Sequence, residues 1–312
     1  MEKEIERVAV VGAGLMGHGI AQEWAQAGYR VRCTDASRAV LDAAPDRIRQ
    51  NYSLLENAEA AAPGQAGRTL ANLSLHADLE GCVQDADLVI EAMAEDLAAK
   101  RALFERLDAL CPPHAILASN SSSFMPGQLA PSTRRPEKVL GAHYFNPPYL
   151  VPLVELIRGP DIGDEAVATL ERLLKGMDKT PVVVQKEMPG FIANRFQAAL
   201  LREALSLVEQ GVASPQDIDR VIRGSVGRRW SVAGVFEITE AAGLDLKLKI
   251  MEELVPSLES TGRVSDLLRD RVAAGKLGMK TGEGFYAWDG DEAQKTRERI
   301  ARALIAISRL DD

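Results

Sequence analysis

Cysteine is scarce: the 312-residue chain has three, Cys33, Cys82 and Cys111, far apart and with no Cys-x-x-Cys pair. Neither a disulfide framework nor a zinc site is suggested, and the three are expected to be reduced thiols. The four histidines, His18, His76, His114 and His143, show no metal-ligand spacing, so no metal is expected. There is no run of about 18 apolar residues, which excludes a spanning helix. The opening MEKEIERVAVV has no apolar signal region behind a basic flank, so the chain is expected to be soluble and cytoplasmic, away from membranes. Basic residues are outnumbered, giving a net charge of −8. A nucleic-acid binder needs a basic surface, so that partner is not expected. Small anions remain possible ligands, because local charges bind them. No internal repeat is visible. What is present, 46 % hydrophobic and 26 % charged residues, suffices for two domains with sizeable cores.

The stretch VLGAHYFNPPYLVPLVELI, Val139 to Ile157, organises the rest. Val139, Leu140 and Ala142 read as a short strand ending at His143, Asn146-Pro147-Pro148 as a turn, and Leu153 to Ile157 as the next strand, carrying Glu155. His143 and Glu155 can therefore meet across the turn. A carboxylate holding one ring nitrogen leaves the other to take a proton and stabilises the imidazolium, which suits alcohol oxidation at neutral pH. The competing reading is a buried histidine satisfied by a structural carboxylate.

A cofactor site strengthens the first reading. Arg7 to Val11 reads as a strand running into Gly12-Ala13-Gly14-Leu15-Met16-Gly17, followed by a helix from His18 to Gly28 and a strand, Tyr29 to Thr34, that delivers Asp35. This is the full dinucleotide-binding pattern. Gly12 permits the tight turn, Gly14 lets the backbone approach the pyrophosphate, and Gly17 lets helix pack on strand while the helix N-terminus faces the negative charge. Asp35 would hold the adenosine ribose and repel a 2′-phosphate, which points to NAD. Arg38, near the same place, is read as a solvent-facing residue at the start of the next helix; the alternative is an arginine that accepts a 2′-phosphate.

Residues 37 to 72 read as helical, alanine-rich and broken at Ala62-Pro63-Gly64. Further strands are expected at Leu73 to Leu75, Ala86 to Ala92, Ala115 to Ala118 and Pro181 to Val184, with helices Leu97 to Leu110 and Asp164 to Lys175. The fifth strand opens into Ser119-Asn120-Ser121-Ser122-Ser123, in the position where such sheets bind ligands. The alternative is a polar turn capping the next helix. Pro189-Gly190 marks a boundary, and beyond it only helices are expected: Phe191 to Gln210, one behind the capping box Ser214-Pro215-Gln216-Asp217, Val232 to Ala242, Leu246 to Leu258, Val264 to Ala274 and a charged one from Asp291.

GAGLMG with Asp35, EAMAED, ASNSSS, AHYFNPP ending at Glu155, PGFIANR and GKLGMKTGEGFY, in that order, resemble the 3-hydroxyacyl-CoA dehydrogenase family over essentially the whole chain. The resemblance implies an α/β fold: a Rossmann-type, doubly wound NAD-binding domain over residues 1–187, then an all-α dimerisation domain over 188–312. It implies NAD-dependent oxidation of an L-3-hydroxy group and a homodimer. Residue by residue, the catalytic pair falls on His143 and Glu155, the substrate-binding serine on Ser122 and the active-site asparagine on Asn194. Glu95, Lys100, Ser122, Asn146 and Lys280 stand where the family contacts its cofactor, with Asn120 in the same loop as Ser122, and with Leu15 and Met16 inside the glycine turn. Lys100 and Lys280 also read as solvated lysines, and Asn194 as a helix-start residue.

The substrate divides the resemblance. CoA-using members carry basic residues on the arm after the second strand. Here that arm has Arg47, Arg49 and Arg68 but no lysine, and the CoA-contacting positions fall on Asn51 and Ala58. NPPYLVPLVELI and GRRW, Gly227 to Trp230, are more similar to the lambda-crystallin and L-gulonate 3-dehydrogenase branch, whose members oxidise small free 3-hydroxy acids; L-carnitine dehydrogenase is another such relative. Arg229 matches that branch's arginine and would grip a carboxylate beside Trp230. The alternatives are solvated arginines with Trp230 in the core, a 3-hydroxybutyryl-CoA substrate, which GMKTGEGFYAW favours, and an idle, crystallin-like structural protein.

Overall fold

A computed structural model describes residues 5–308. The described residues form two compact units, with the break between Asn194 and Arg195. In the first unit the chain alternates β1 (Arg7–Val11), α1 (Gly17–Gln26), β2 (Arg30–Thr34), α2 (Arg38–Asp42), α3 (Ala44–Asn57), α4 (Gln65–Ala71), β3 (Leu73–Leu75), α5 (Leu79–Val83), β4 (Leu88–Glu91), α6 (Leu97–Leu110), β5 (Ile116–Ser119), α7 (Pro126–Leu129), β6 (Val139–Tyr144), β7 (Leu153–Ile157), α8 (Asp164–Lys175) and β8 (Thr180–Val184). The strands make one sheet in the order β3-β2-β1-β4-β5-β6-β7-β8. Every pairing is parallel except β6 with β7.

The strands read as nearly unbroken apolar runs because both faces of the sheet are covered. Val8, Val10, Leu88, Ile90 and Leu140 point into one core with Ile20 and Trp24 of α1 and Leu170 and Leu174 of α8. Their neighbours Ala9, Val11, Val89, Leu117 and Val139 point into the other, with Phe104 and Leu107 of α6. Burying each large side chain contributes about 1.5–3 kcal/mol. Strand order reverses between β1 and β4, and the register pairs Val11 with both Thr34 and Glu91, and Glu91 with Ser119. Gly12, Asp35, Ala92 and Asn120 therefore leave the sheet along one edge, beside the switch point where such sheets bind ligands.

α9 (Ala193–Glu209) leads into the second unit, which contains α10 (Pro215–Gly224), α11 (Val226–Trp230), α12 (Val235–Ala242), α13 (Leu244–Leu254), α14 (Asp266–Ala273) and α15 (Glu292–Ser308). Several helix limits differ from expectation for local reasons. The helix read from Phe191 starts at Ala193, because Phe191 has φ +48°. The one read through Leu258 stops at Leu254, and Pro256 lies in a short 3-10 turn beyond it. GRRW belongs to a helix of its own, α11, and the next starts at Val235 rather than Val232. Among the described residues no helix is long and apolar enough to cross a membrane.

Candidate active site

The glycine turn is built as a cradle. A Cβ on Gly17 would lie 1.7 Å from the Gly12 carbonyl oxygen, so residue 17 must be glycine for α1 to start here, whereas a Cβ on Gly14 would meet nothing. Gly14 is bare toward the outside, where a ligand backbone would approach. The first turn of α1 has no side-chain cap and no acidic residue, which leaves its N–H groups to an anion. Leu15 is exposed, Met16 half-buried. Asp35 is fixed by two backbone donors, Ala13 N–H to Oδ2 and Ser37 N–H to Oδ1, both at 2.8 Å. Arg38 is held by Asp42, its Nε 2.8 Å from each carboxylate oxygen. The cradle, the uncapped helix and the carboxylate fit a dinucleotide with a free ribose 2′-hydroxyl.

His143 on β6 and Glu155 on β7 face each other in the antiparallel register. Nδ1 of His143 lies 2.9 Å from Glu155 Oε2, both side chains being buried. The other carboxylate oxygen, Oε1, accepts N–H bonds from Ile192 at 3.0 Å and Ala193 at 2.9 Å. Burial pushes the Glu155 carboxyl up, but the bonds from His143, Ala193 and Ile192 outweigh it and hold the pKa below its ordinary value. An ionised Glu155 takes a proton on Nδ1, so Nε2 is the nitrogen left for proton exchange. Phe145 and Phe191 border the imidazole, with ring centroids 4.5 and 5.4 Å away. Asn194, half-buried, lies in the first turn of α9, one residue past Ala193.

The serine loop is tied to Glu95. Ser122 N–H donates to Glu95 at 2.9 Å, and the Ser121 hydroxyl lies 2.9 and 2.8 Å from its two oxygens. Lys100 is not a surface lysine: it is 1 % exposed. Its ammonium lies 2.5 Å from buried Glu91 and 3.6 Å from Glu95, so it braces Glu95 from behind. Glu91 also accepts the Ser119 hydroxyl at 2.6 Å and the Met93 N–H at 2.8 Å. Asn120 is buried, its side-chain oxygen accepting the Tyr144 N–H at 2.8 Å, which ties β5 to the strand of His143. Asn146 is exposed on a loop anchored by buried Lys179, which donates to the Pro148 carbonyl at 2.7 Å and pairs with Glu23 of α1.

His143, Glu155, Ser122, Glu95, Lys100, Asn120, Asn146, Asn194 and the glycine turn with Asp35 all lie in the first unit. Arg229 and Lys280 lie in the second, both exposed. Trp230 is 46 % exposed, which removes it from any core. Sequence reasoning passed over Glu91 and Phe191. Glu91 left a trace, a carboxylate ending the apolar strand Leu88–Glu91. Phe191 left none beyond the glycine before it.

Together, the glycine cradle, the fixed Asp35 carboxylate and the buried histidine–glutamate pair are the parts expected of a nicotinamide-dependent dehydrogenase. Similarity to known proteins sets the family. The 3-hydroxyacyl-CoA dehydrogenase NAD binding domain matches residues 7–188, and the C-terminal domain of the same family matches 190–288. The chain belongs to the 3-hydroxyacyl-CoA dehydrogenase family and is an NAD-dependent oxidoreductase. It is 32 % identical to the 5-formyl-3-hydroxy-2-methylpyridine 4-carboxylate 5-dehydrogenase of Mesorhizobium japonicum, over 98 % of each chain. A crystal structure of that kind of enzyme, an NAD+ dependent dismutase, superposes with a TM-score of 0.92 at 31 % identity, covering 98 % of each chain. A probable 3-hydroxybutyryl-CoA dehydrogenase of Bacillus subtilis is 38 % identical over 92 % of this chain and 98 % of its own. The (S)-3-hydroxybutyryl-CoA dehydrogenase of Ralstonia eutropha superposes with a TM-score of 0.76 at 33 % identity, covering 92 % of this chain and 100 % of that one.

Proposed function

We propose that the protein oxidises the hydroxyl carbon of a small free acid, with His143 as general base. The hydrogen bond of 2.9 Å from His143 to a Glu155 that is itself held ionised carries this reading. His143 Nε2 takes the hydroxyl proton, and Glu155 balances the imidazolium that forms. Ser122 and Asn194 orient the reacting oxygen, the amide stabilising charge on it as the carbonyl forms or is reduced. The chemistry that bound NAD would supply is that of a hydride acceptor. Gly12, Gly14, Leu15, Met16 and Gly17 would cradle its pyrophosphate and Asp35 would hold its ribose, while Glu95, Asn120, Ser122, Asn146 and, from the second unit, Lys280 are the further residues that would contact it, with Lys100 bracing Glu95.

Two observations favour a free acid over a CoA thioester. Asn51, at a family CoA-contacting position, is buried and donates to Gln22 at 2.8 Å, while the Ala58 side chain carries no polar atom. The relative matched end to end acts on a pyridine that bears a carboxylate beside its formyl group. Arg229 is the candidate for holding such a carboxylate. A hydrated aldehyde carries the same H–C–O–H unit as an alcohol, so the same base would serve it, the product being a carboxylic acid. The second reading, 3-hydroxybutyryl-CoA, is favoured by the Bacillus subtilis relative. The test compares kcat/KM for L-3-hydroxybutyrate, L-gulonate, L-carnitine and a formylpyridine carboxylate against L-3-hydroxybutyryl-CoA. A thioester preferred by orders of magnitude refutes the free-acid reading. No change in NADH absorbance with any of them would return the protein to the crystallin-like structural class.

The second unit supports a symmetric homodimer as the working form. Phe196, Leu200, Val221, Phe236, Leu246 and Leu248 are all exposed in the single chain, a concentration of apolar side chains that soluble monomers rarely leave open. Buried thiols fit a reducing compartment, and we place the protein in the cytoplasm.

A further inference from the structure

We propose that Phe191 is a positioning residue for the proton-transfer pair, its left-handed backbone allowing one turn to hold both His143 and Glu155. The proposal rests on the reading of His143 as the base. Gly190 and Phe191 are consecutive left-handed residues, with φ +78° and +48°. Glycine adopts this conformation freely; a phenylalanine does so against the clash of its Cβ with the backbone. Among the described residues, the other non-glycine cases are Glu59 and Asp178. Both are exposed polar residues just beyond α3 and α8, where a chain leaving a helix commonly turns. Phe191 instead is 1 % exposed and packs against Ile157 and Val184. A strained, buried aromatic persists only where its surroundings hold it, and such residues gather at functional sites.

The turn has two outputs. Immediately after Phe191, the N–H groups of Ile192 and Ala193 converge on Glu155 Oε1 at 3.0 and 2.9 Å, as successive amides do around a left-handed residue. The ring meets the imidazole of His143 edge to face, with centroids 5.4 Å apart and planes at 63°. Rotating residue 191 into the right-handed region would redirect both outputs. The strained φ thus orients the acceptor of the Nδ1 proton and walls the imidazole that carries it. A Phe191 that served only as core would show a different signature: its loss would lower stability and leave the chemical step alone.

The experiment compares Phe191→Gly, Phe191→Ala and Phe191→Leu with the unmodified enzyme, well below their melting temperatures, with His143→Gln in parallel. The glycine and alanine variants should lose about 10 to 100-fold in kcat, as expected of a small misplacement of reacting groups. Their KM for NAD and their NADH dissociation constant, read by fluorescence, should not change, and the primary deuterium isotope effect on kcat should rise. Phe191→Gly should melt above Phe191→Ala, since glycine carries no penalty at positive φ. Should the alanine variant not fold, Phe191→Leu carries the kinetic comparison, with a smaller loss in the same direction. Wild-type kcat and isotope effect in variants with a lowered Tm would overturn the proposal. An alanine variant that melts above the glycine variant would remove the strain on which it rests. If His143→Gln keeps wild-type kcat, the base assignment itself fails, a result separable from failure at Phe191.

Discussion

Replacing Glu155 by glutamine keeps the shape of the side chain and reverses one hydrogen bond. The amide oxygen can still accept the N–H groups of Ile192 and Ala193, now 3.0 and 2.9 Å away. The amide nitrogen, however, points a donor at Nδ1 of His143, which lies 2.9 Å from the present oxygen. His143 must then carry its proton on Nε2, the nitrogen needed to accept one. Glu155→Gln should therefore lower kcat by about 10²-fold or more, the range of general base catalysis, without weakening NAD. Because the base and its partner act as one unit, the double variant with His143→Gln should cost far less than the product of the single losses. Stability should also fall. For the two backbone bonds from Ile192 and Ala193 alone, exchanging a charge-assisted bond for a neutral one costs about 1 kcal/mol each, together about 4–8 °C in Tm for a domain of this size. The sign of the pH dependence is set by the depressed carboxyl. Its contribution is present above the ordinary carboxyl value of 4.5 and is lost as pH falls through the lower folded value. The Tm gap between wild type and Glu155→Gln should thus be full at neutral pH and close in acid below 4.5. Steady-state rates from NADH absorbance and melting curves across pH provide the assay. Wild-type kcat in Glu155→Gln, or multiplicative losses in the double variant, would refute the dyad.

Four further outcomes are expected. Asp35→Ala should weaken NAD more than NADP in kcat/KM, and equal losses would contradict ribose recognition by Asp35. Arg229→Met should cut kcat/KM for a free acid by about 10 to 100-fold, the worth of a charge-assisted contact, and leave a thioester untouched; no change with any substrate removes Arg229 from the site. Burial pushes the Cys33 and Cys111 thiols up to about 12, with the charges of Asp35 and Asp108 adding to it and Arg135 opposing it at Cys111. Cys82 is raised further, so no thiol should react with a maleimide at neutral pH until the protein unfolds, and rapid labelling of the folded chain would contradict that. Sedimentation at micromolar concentration should give a dimer; a monomer would mean that the exposed apolar helices of the second unit serve something else.

What the sequence determined alone was whatever neighbouring residues decide between themselves. The turn Gly12 to Gly17 and Asp35 after β2 are short-range chemistry: a turn that excludes side chains, a helix start, and a strand that ends on an acid. The hairpin was equally legible, because Asn146-Pro147-Pro148 between two apolar runs leaves His143 and Glu155 little choice but to pair. The helices of the second half followed from periodicity, whereas the antiparallel bridges of Glu283 with Gly278 and Ala287, between α14 and α15, did not. Tertiary structure decided everything that depends on which distant segments touch. Glu155 meets the N–H groups of Ile192 and Ala193, 37 and 38 residues away, so one carboxylate serves both the imidazole and the start of the helix bearing Asn194. Lys100 reads as a solvated lysine on its helix, yet Glu91 draws its ammonium into the interior. Asn51 falls at a position where the family contacts CoA, yet Gln22 of α1 takes its amide. The backbone of Phe191 carries no sequence mark, because its conformation is imposed by the ring's place among Ile157, Val184 and His143. A buried charge or a strained φ is stable only against partners that the folded chain supplies, and those partners lie too far along the chain for local patterns to reveal them.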